Sequence, residues 1–193
     1  MNSATDLYCE VSACRECQEF SSHYKFAPGC HGKGGKRLMI VGESSHKPSI
    51  DAGRYYDQGS VRSILADVID LDRDCFLSDA IKCDKQFCSK KGKSLDKIAK
   101  HCATRFLVRE ISILKPKAII AVGRIAFEVL TGNSESFASR QSDGTTYYEK
   151  ASRIPVYPVI HPSYANMFYG LVPWQNVPYN NSFIDTVRRA LNN

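Results

Sequence analysis

Four short apolar runs limit what this chain can fold into. L-M-I-V (Leu38–Val41), F-L-S (Phe76–Ser78), A-I-I-A-V (Ala118–Val122) and the run I-P-V-Y-P-V-I-H-P-S (residues 154–163) each read as a strand, the last one running into a loop. They are too short for helices, and they are apolar at successive rather than alternate positions, as in strands covered on both faces. Segments of helical period separate them. Val61, Ile64, Leu65 and Val68 share a face within Val61–Ile69, while Leu95, Ile98, Ala99, Cys102, Phe106 and Ile113 repeat near 3.6 across residues 95–114. Arg124–Leu130 and the closing Tyr179–Leu191 complete the series. Strand and helix in alternation predict an α/β protein: a three-layer α/β/α sandwich around a central, mainly parallel four-stranded sheet. Ligands of such sheets sit beyond the carboxyl ends of the strands, which here carry Gly42-Glu43, Asp79 and His161. Residues 44–60, the polar insert Asp84–Ser94 and residues 131–153 read as loops, the last with a loose hairpin around Thr145–Tyr148.

Composition narrows the functional classes. With 43% hydrophobic and 24% charged residues the chain is globular rather than disordered. Its 193 residues suit one domain spanning 1–193, with no repeat or linker to divide it. No stretch approaches the ~20 apolar residues of a membrane span, and M-N-S-A-T-D is not a signal pattern, so a cytoplasmic protein is expected. The formal charge of +6 favours a polyanionic partner only weakly. Eight cysteines without a secretion signal point to metal or redox chemistry rather than to disulfides. They stand at 9, 14, 17, 30, 75, 83, 88 and 102, with Cys14 and Cys17 forming C-x-x-C and Cys75 reading as a core thiol at the head of a strand. Spacing leaves two readings open: four thiolates suit a structural zinc ion or an iron–sulfur cluster equally. The Gly- and Lys-rich P-G-C-H-G-K-G-G-K is not a phosphate-binding Walker loop, because G-x-x-x-x-G-K-[ST] is absent.

Five motifs occur in order: G-E-S-S-H after the first strand, G-R-Y-Y in the next loop, S-D-A-I-K-C at the second, K-P-K-A-I-I-A-V-G at the third and H-P-S after the fourth. In that order they resemble the uracil-DNA glycosylase superfamily, and most closely its iron–sulfur branch, over residues 14 to about 165. The resemblance implies a DNA glycosylase in which Cys14, Cys17, Cys83 and Cys102 hold a [4Fe–4S] cluster that ties residues 1–37 to the domain. Zinc is the alternative metal, and Cys88 is an alternative to Cys83. A monomer is expected.

The same resemblance assigns roles to the polar groups. Such an enzyme flips a nucleotide into a pocket and cleaves its N-glycosidic bond with water. Tyr56 takes the place of a stacking aromatic, with Gly42 beside the base. His161 would stabilise the leaving anion, and Glu43, with Asp51 as its rival, would position or activate the water. The family pattern G-E-(A/G)-P-G is here Gly42-Glu43-Ser44-Ser45-His46, so the loop has lost its Pro and Gly. Ser44, Ser45 and Ser163 are candidates for phosphate contacts, as are Lys90, Lys91 and Lys93 of the insert. Lys33, Lys36, Arg37 and Arg124 extend the basic set. Met167 or Phe168 would fill the gap left by the flipped base.

Asp79 is the informative departure. Uracil-excising members have Asn there, whose amide both donates and accepts. An ionised carboxylate only accepts, which suits the exocyclic amino group of cytosine and opposes uracil O4. Because excising plain cytosine would destroy the host genome, the expected target is a modified cytosine of phage DNA, hydroxymethylated or glucosylated, and the expected role is anti-phage defence. The S-S-H-K-P-S-I-D segment would then provide room or polar partners for the substituent at C5. Repair of uracil or of another damaged base, a DNA-binding homologue without catalysis, and a zinc-stabilised interaction domain are the alternatives.

Overall fold

The computed structural model describes residues 3–16, 32–57, 60–84, 94–133, 145–162, 171–172 and 177–193. Helix α1 (Ala4–Ala13) starts at a capping box in which the Ser3 hydroxyl accepts from the Asp6 amide and the Asp6 carboxylate accepts from the Ser3 amide. Strand β1 (Leu38–Ser44) follows, then short helices α2 (Lys47–Ala52), α3 (Ser60–Leu65) and α4 (Leu71–Asp74). The last is capped by the Asp70 carboxylate, which accepts from two backbone amides at 3.0 Å. Strand β2 (Cys75–Ile81) leads to α5 (Leu95–Cys102), a π-helical stretch at Ala103–Leu107, and α6 (Val108–Leu114). Lys115, left-handed at φ 48°, stops this run just before Pro116. Strand β3 (Ala118–Val122), helix α7 (Arg124–Thr131) and strands β4 (Tyr147–Tyr148) and β5 (Pro155–Val159) come next. A small ladder of β6 (Leu171–Val172) and β7 (Val177–Pro178) precedes α8 (Tyr179–Leu191).

Among the described residues the main sheet has the order β2-β1-β3-β5-β4. Its first four members are parallel, as the apolar runs require, and β4 is antiparallel. The four-stranded expectation is therefore corrected to five, because the hairpin foreseen around Thr145–Tyr148 pairs with β5 as an edge strand, its Tyr147 ring edge-on to Phe127 at 4.9 Å. Successive residues of the central strands enter opposite cores. Leu38, Ile40, Ile120 and Val122 pack with Val61, Leu65, Phe183 and Val187 on one face. Met39, Val41, Ile119 and Ala121 pack with Ile98, Leu107, Ile125 and Phe127 on the other. These two cores make the three layers.

Three further expectations change. The second strand extends beyond Phe76–Ser78 to Ile81, so Asp79 lies inside it rather than after it; Ala80 and Ile81 are apolar enough to continue the pairing. The helix foreseen over Val61–Ile69 ends at Leu65. The loop after β1 contains α2, begun by Pro48 in its first turn.

A buried polar group crosses between layers. Lys82 Nζ lies 2.5 Å from Glu110 Oε2 and donates to Ser78 Oγ at 2.5 Å, and the Ser78 hydroxyl donates to the same Glu110 oxygen at 2.6 Å. The two charged side chains are only 5% and 2% exposed. A buried charge stripped of its partner costs about 3–5 kcal/mol, whereas replacing both partners by apolar groups is often neutral. Urea unfolding of Lys82→Met should show a loss of that size, and Lys82→Met/Glu110→Leu should recover most of it.

Candidate active site

The site begins with a strand register. Gly42 of β1 is paired with Asp79 of β2. A Cβ on residue 42 would stand 2.5 Å from Asp79 Oδ1 and 3.0 Å from Tyr56 Oη, so only glycine leaves room for both groups. Asp79 is 3% exposed and accepts the Ser45 hydroxyl proton on Oδ2 at 2.6 Å. Burial pushes its carboxyl up to about 6; the Ser45 hydrogen bond and the Lys82 charge oppose the rise, and Glu110 and Glu43 add to it. Tyr56 sits at φ 56°, a left-handed conformation uncommon for a residue with a side chain. Its hydroxyl is buried without a hydrogen-bond partner. Burial, then the nearby Asp79 charge, raises that phenol well above its ordinary range, so it keeps its proton.

An ionic clamp outside the pocket holds the Tyr55–Tyr56 turn. The Arg62 guanidinium donates to the Tyr55 carbonyl at 3.0 and 3.2 Å and grips the Asp72 carboxylate at 2.6 and 3.0 Å. Arg54 donates to the same carboxylate at 2.5 Å. Burial alone would raise the Asp72 carboxyl, but the hydrogen bonds and charges of the two arginines outweigh it and hold Asp72 below its usual value.

The resulting cleft, about 230 Å³, is lined by residues 42–46 and Ser49, by Tyr55, Tyr56, Ser60 and Val61, and by Asp79, His161 and Pro162. Thus Glu43, Tyr56, Asp79 and His161, which come from four separate motifs, meet in one cavity. His161 follows β5 and passes Gly123, where an added Cβ would touch His161 Cβ at 3.5 Å. Asp51 is not among the lining residues; its carboxylate accepts from Lys47 Nζ at 2.7 Å along α2. Ser45 is 5% exposed and its hydroxyl donates to Asp79, and the Ser44 hydroxyl is buried in the cleft wall. Arg124 is engaged by Glu128 and Asp96 at 2.8 and 2.9 Å, and Arg37 donates to the Lys115 carbonyl. Lys90, Lys91, Lys93, Ser163, Met167, Phe168, Cys17 and Cys88 lie outside the described residues.

Two cysteines of the foreseen cluster, Cys14 and Cys102, pack together across α1 and α5, while Cys83 belongs to the core on the other side of α5. Cys14 ends α1 and packs with Leu7, Val11, Cys102 and Phe106. Cys102 Sγ accepts from the Lys82 amide at 3.3 Å, just after β2, and the buried Cys83 is the next residue. Apolar surroundings and an amide aimed at sulfur suit a thiolate-ligated cluster. Among the described residues no three ligand-type side chains are grouped closely enough to hold a metal ion, and Cys17 is not one of them. Cys75 is wholly buried, and desolvation, then the charge of Asp74, pushes its thiol up to about 12, an inert core position.

His46 and Ser49, foreseen only as part of the polar segment after β1, stand in the cleft wall, while the Arg62–Asp72 clamp and the Lys82–Glu110 pair escaped sequence reasoning. Pro48 could have signalled the helix that carries Ser49, but no local pattern announces ion pairs between distant segments.

A cleft at the carboxyl ends of parallel strands, walled by two acids, a histidine and a tyrosine, is thus the candidate active site of this α/β fold. Residues 31–184 match the family model of the uracil DNA glycosylase superfamily, and the chain belongs to that superfamily: it is a DNA glycosylase by descent, with DNA as its class of substrate. It is 24% identical over 173 residues, 86% of this chain and 76% of the relative, to a type-4 uracil-DNA glycosylase of Sulfurisphaera tokodaii strain DSM 16993. The resemblance carried by the five motifs is borne out, as is the α/β class. Among the described residues no helix is long and apolar enough to cross a membrane.

Two predictions come from this geometry. Gly42→Ala should drive Asp79 or Tyr56 out of place and cut turnover at least ~100-fold, as a displacement of about 1 Å at a reacting centre does. The second concerns Asp79, whose folded value lies above its ordinary 3.8. Its contribution to stability is then fully present below that value and is lost as pH rises through about 6. Asp79→Asn should therefore be more stable than the parent at pH 8, by an amount on the order of 3 kcal/mol, and the gap should close by pH 4 in chemical denaturation.

Proposed function

We propose that the protein excises a modified cytosine from DNA, a hydroxymethylated or glucosylated base of phage origin, and so defends its host by leaving abasic sites in invading DNA. The observation that carries this reading is the buried carboxylate of Asp79 at the floor of the cleft. Above pH 6 it is ionised and offers acceptors only, which match an exocyclic amino group and oppose uracil O4.

Tyr56 and Gly42 bound the base on either side of Asp79. Glu43 positions the attacking water below the sugar, accepting a hydrogen bond from it as positive charge grows on the deoxyribose. His161 stabilises the departing base by donating to its carbonyl oxygen. Cys14, Cys17, Cys83 and Cys102 would hold a [4Fe–4S] cluster that fastens α1 to α5, with zinc as the alternative metal. The cluster is structural, and a brown protein with visible thiolate-to-iron absorption would establish it over zinc.

Purified protein should be incubated with duplexes bearing uracil, cytosine, hydroxymethylcytosine or glucosylated hydroxymethylcytosine, and abasic sites scored. Release of the modified cytosines is expected, with kcat/KM falling as pH drops through about 6 and Asp79 gains a proton. Asp79→Asn should lose at least ~10-fold on these bases and gain on uracil. A parent enzyme that releases uracil alone sinks the modified-cytosine reading.

A further inference from the structure

Buried polar atoms without a partner are rare, and each one calls for a physical reason. Among the described residues four side-chain atoms fit that description: Ser44 Oγ, Ser49 Oγ, Tyr56 Oη and Glu149 Oε1. The first three belong to residues that line the one cleft holding Asp79. Ser49 is 1% exposed, on helix α2, and lines the cleft. Ser45, between Ser44 and Ser49 in sequence, is equally buried but has spent its proton on Asp79. The fold thus withdraws three hydroxyls from water at the place where a base would enter.

The chemistry of the lining says what they can bind. Each hydroxyl can both donate and accept, so a patch of them matches groups that do likewise, above all other hydroxyls. Among the described residues the lining contains the carboxylates Glu43 and Asp79 and the imidazoles His46 and His161, and no lysine or arginine. An anionic substituent would meet unfavourable charge there, and a bare methyl group would leave the hydroxyls unpaired. Tyr56 Oη lies beside Gly42 and Asp79, at the base-reading floor, whereas Ser44 and Ser49 belong to the β1–α2 segment of the wall.

We propose that Ser44 and Ser49, with the Tyr56 hydroxyl, form a specificity subsite for a neutral, hydroxyl-bearing substituent on the ring of the flipped base. The proposal rests on the glycosylase reading above and assigns a side-chain basis to its substrate choice. Discrimination between a methylated and a hydroxymethylated cytosine then comes from satisfying these hydroxyls, because the two bases differ only in that oxygen.

The test compares the parent with Ser44→Ala, Ser49→Ala and the double variant on duplexes of one sequence carrying cytosine, 5-methylcytosine, 5-hydroxymethylcytosine or uracil, with thermal unfolding measured alongside. Each single variant should lose about 3- to 10-fold in kcat/KM on hydroxymethylcytosine and change little on 5-methylcytosine. Melting temperatures should hold or rise, since an unpartnered buried hydroxyl contributes nothing to the free protein. A parent that prefers hydroxymethylcytosine, with variants that lose equally on both bases or on neither, overturns the subsite while leaving the substrate reading intact. Excision of uracil alone, or of no base, overturns the substrate reading and the subsite with it. Variants that unfold more readily than the parent also count against the subsite, because they show hydroxyls with structural partners.

Discussion

Everything in this site depends on a carboxylate held dry between two strands. Parallel pairing puts Asp79 opposite Gly42, and the missing side chain of Gly42 is the space in which that carboxylate and the Tyr56 hydroxyl meet. The arrangement costs stability, since an ionised acid at 3% exposure is disfavoured by desolvation. The surroundings offset part of that cost with one hydrogen bond from Ser45 and the field of Lys82, which is itself neutralised by Glu110. Lys82 thus links three parts of the molecule. Its side chain faces the ion pair, its charge reaches Asp79, and its amide points at Cys102.

The left-handed Tyr56 is the second point of expense. Non-glycine residues persist in that conformation only when their surroundings over-determine it, at about 1–3 kcal/mol each. Here the surroundings are the Arg62–Asp72–Arg54 cluster, which fixes the carbonyl of Tyr55 from outside the cleft. Strain on the pocket side and ion pairs on the solvent side form one device that presents a tyrosine to Asp79.

Much of this was legible in the residues. The parallel strands were readable because continuous apolar runs such as A-I-I-A-V have no solvent face, and their polar ends named Glu43, Asp79 and His161 correctly as neighbours. The edge strand at Tyr147–Tyr148 was readable only as a hairpin, because two residues carry no usable period. Asp79 was taken to follow its strand because the polar Ser78-Asp79 pair looked like an end; tertiary pairing with β1 overrode that local signal. The Ser45–Asp79 and Arg124–Asp96 partnerships were not legible, because side-chain hydrogen bonds between segments far apart leave no trace in local pattern. Asp51 looked equivalent to Glu43 by type, and only the direction of α2 separates them.

The docking of α1 has a consequence for how the chain comes to be assembled. Leu7, Val11 and Cys14 pack on residues near Cys102 and Phe106, and Glu10 is gripped in two places by Arg109, 99 positions later. During synthesis at about 5–20 residues per second, the first helix and its cysteines wait roughly 5–20 s before the surface that receives them exists. Nothing local can hold them in the meantime, and loop closure on that scale belongs to the late steps of folding. The first segment can thus dock only once residue 109 has been made, and anything that Cys14 and Cys102 were to hold together would have to be acquired after that point.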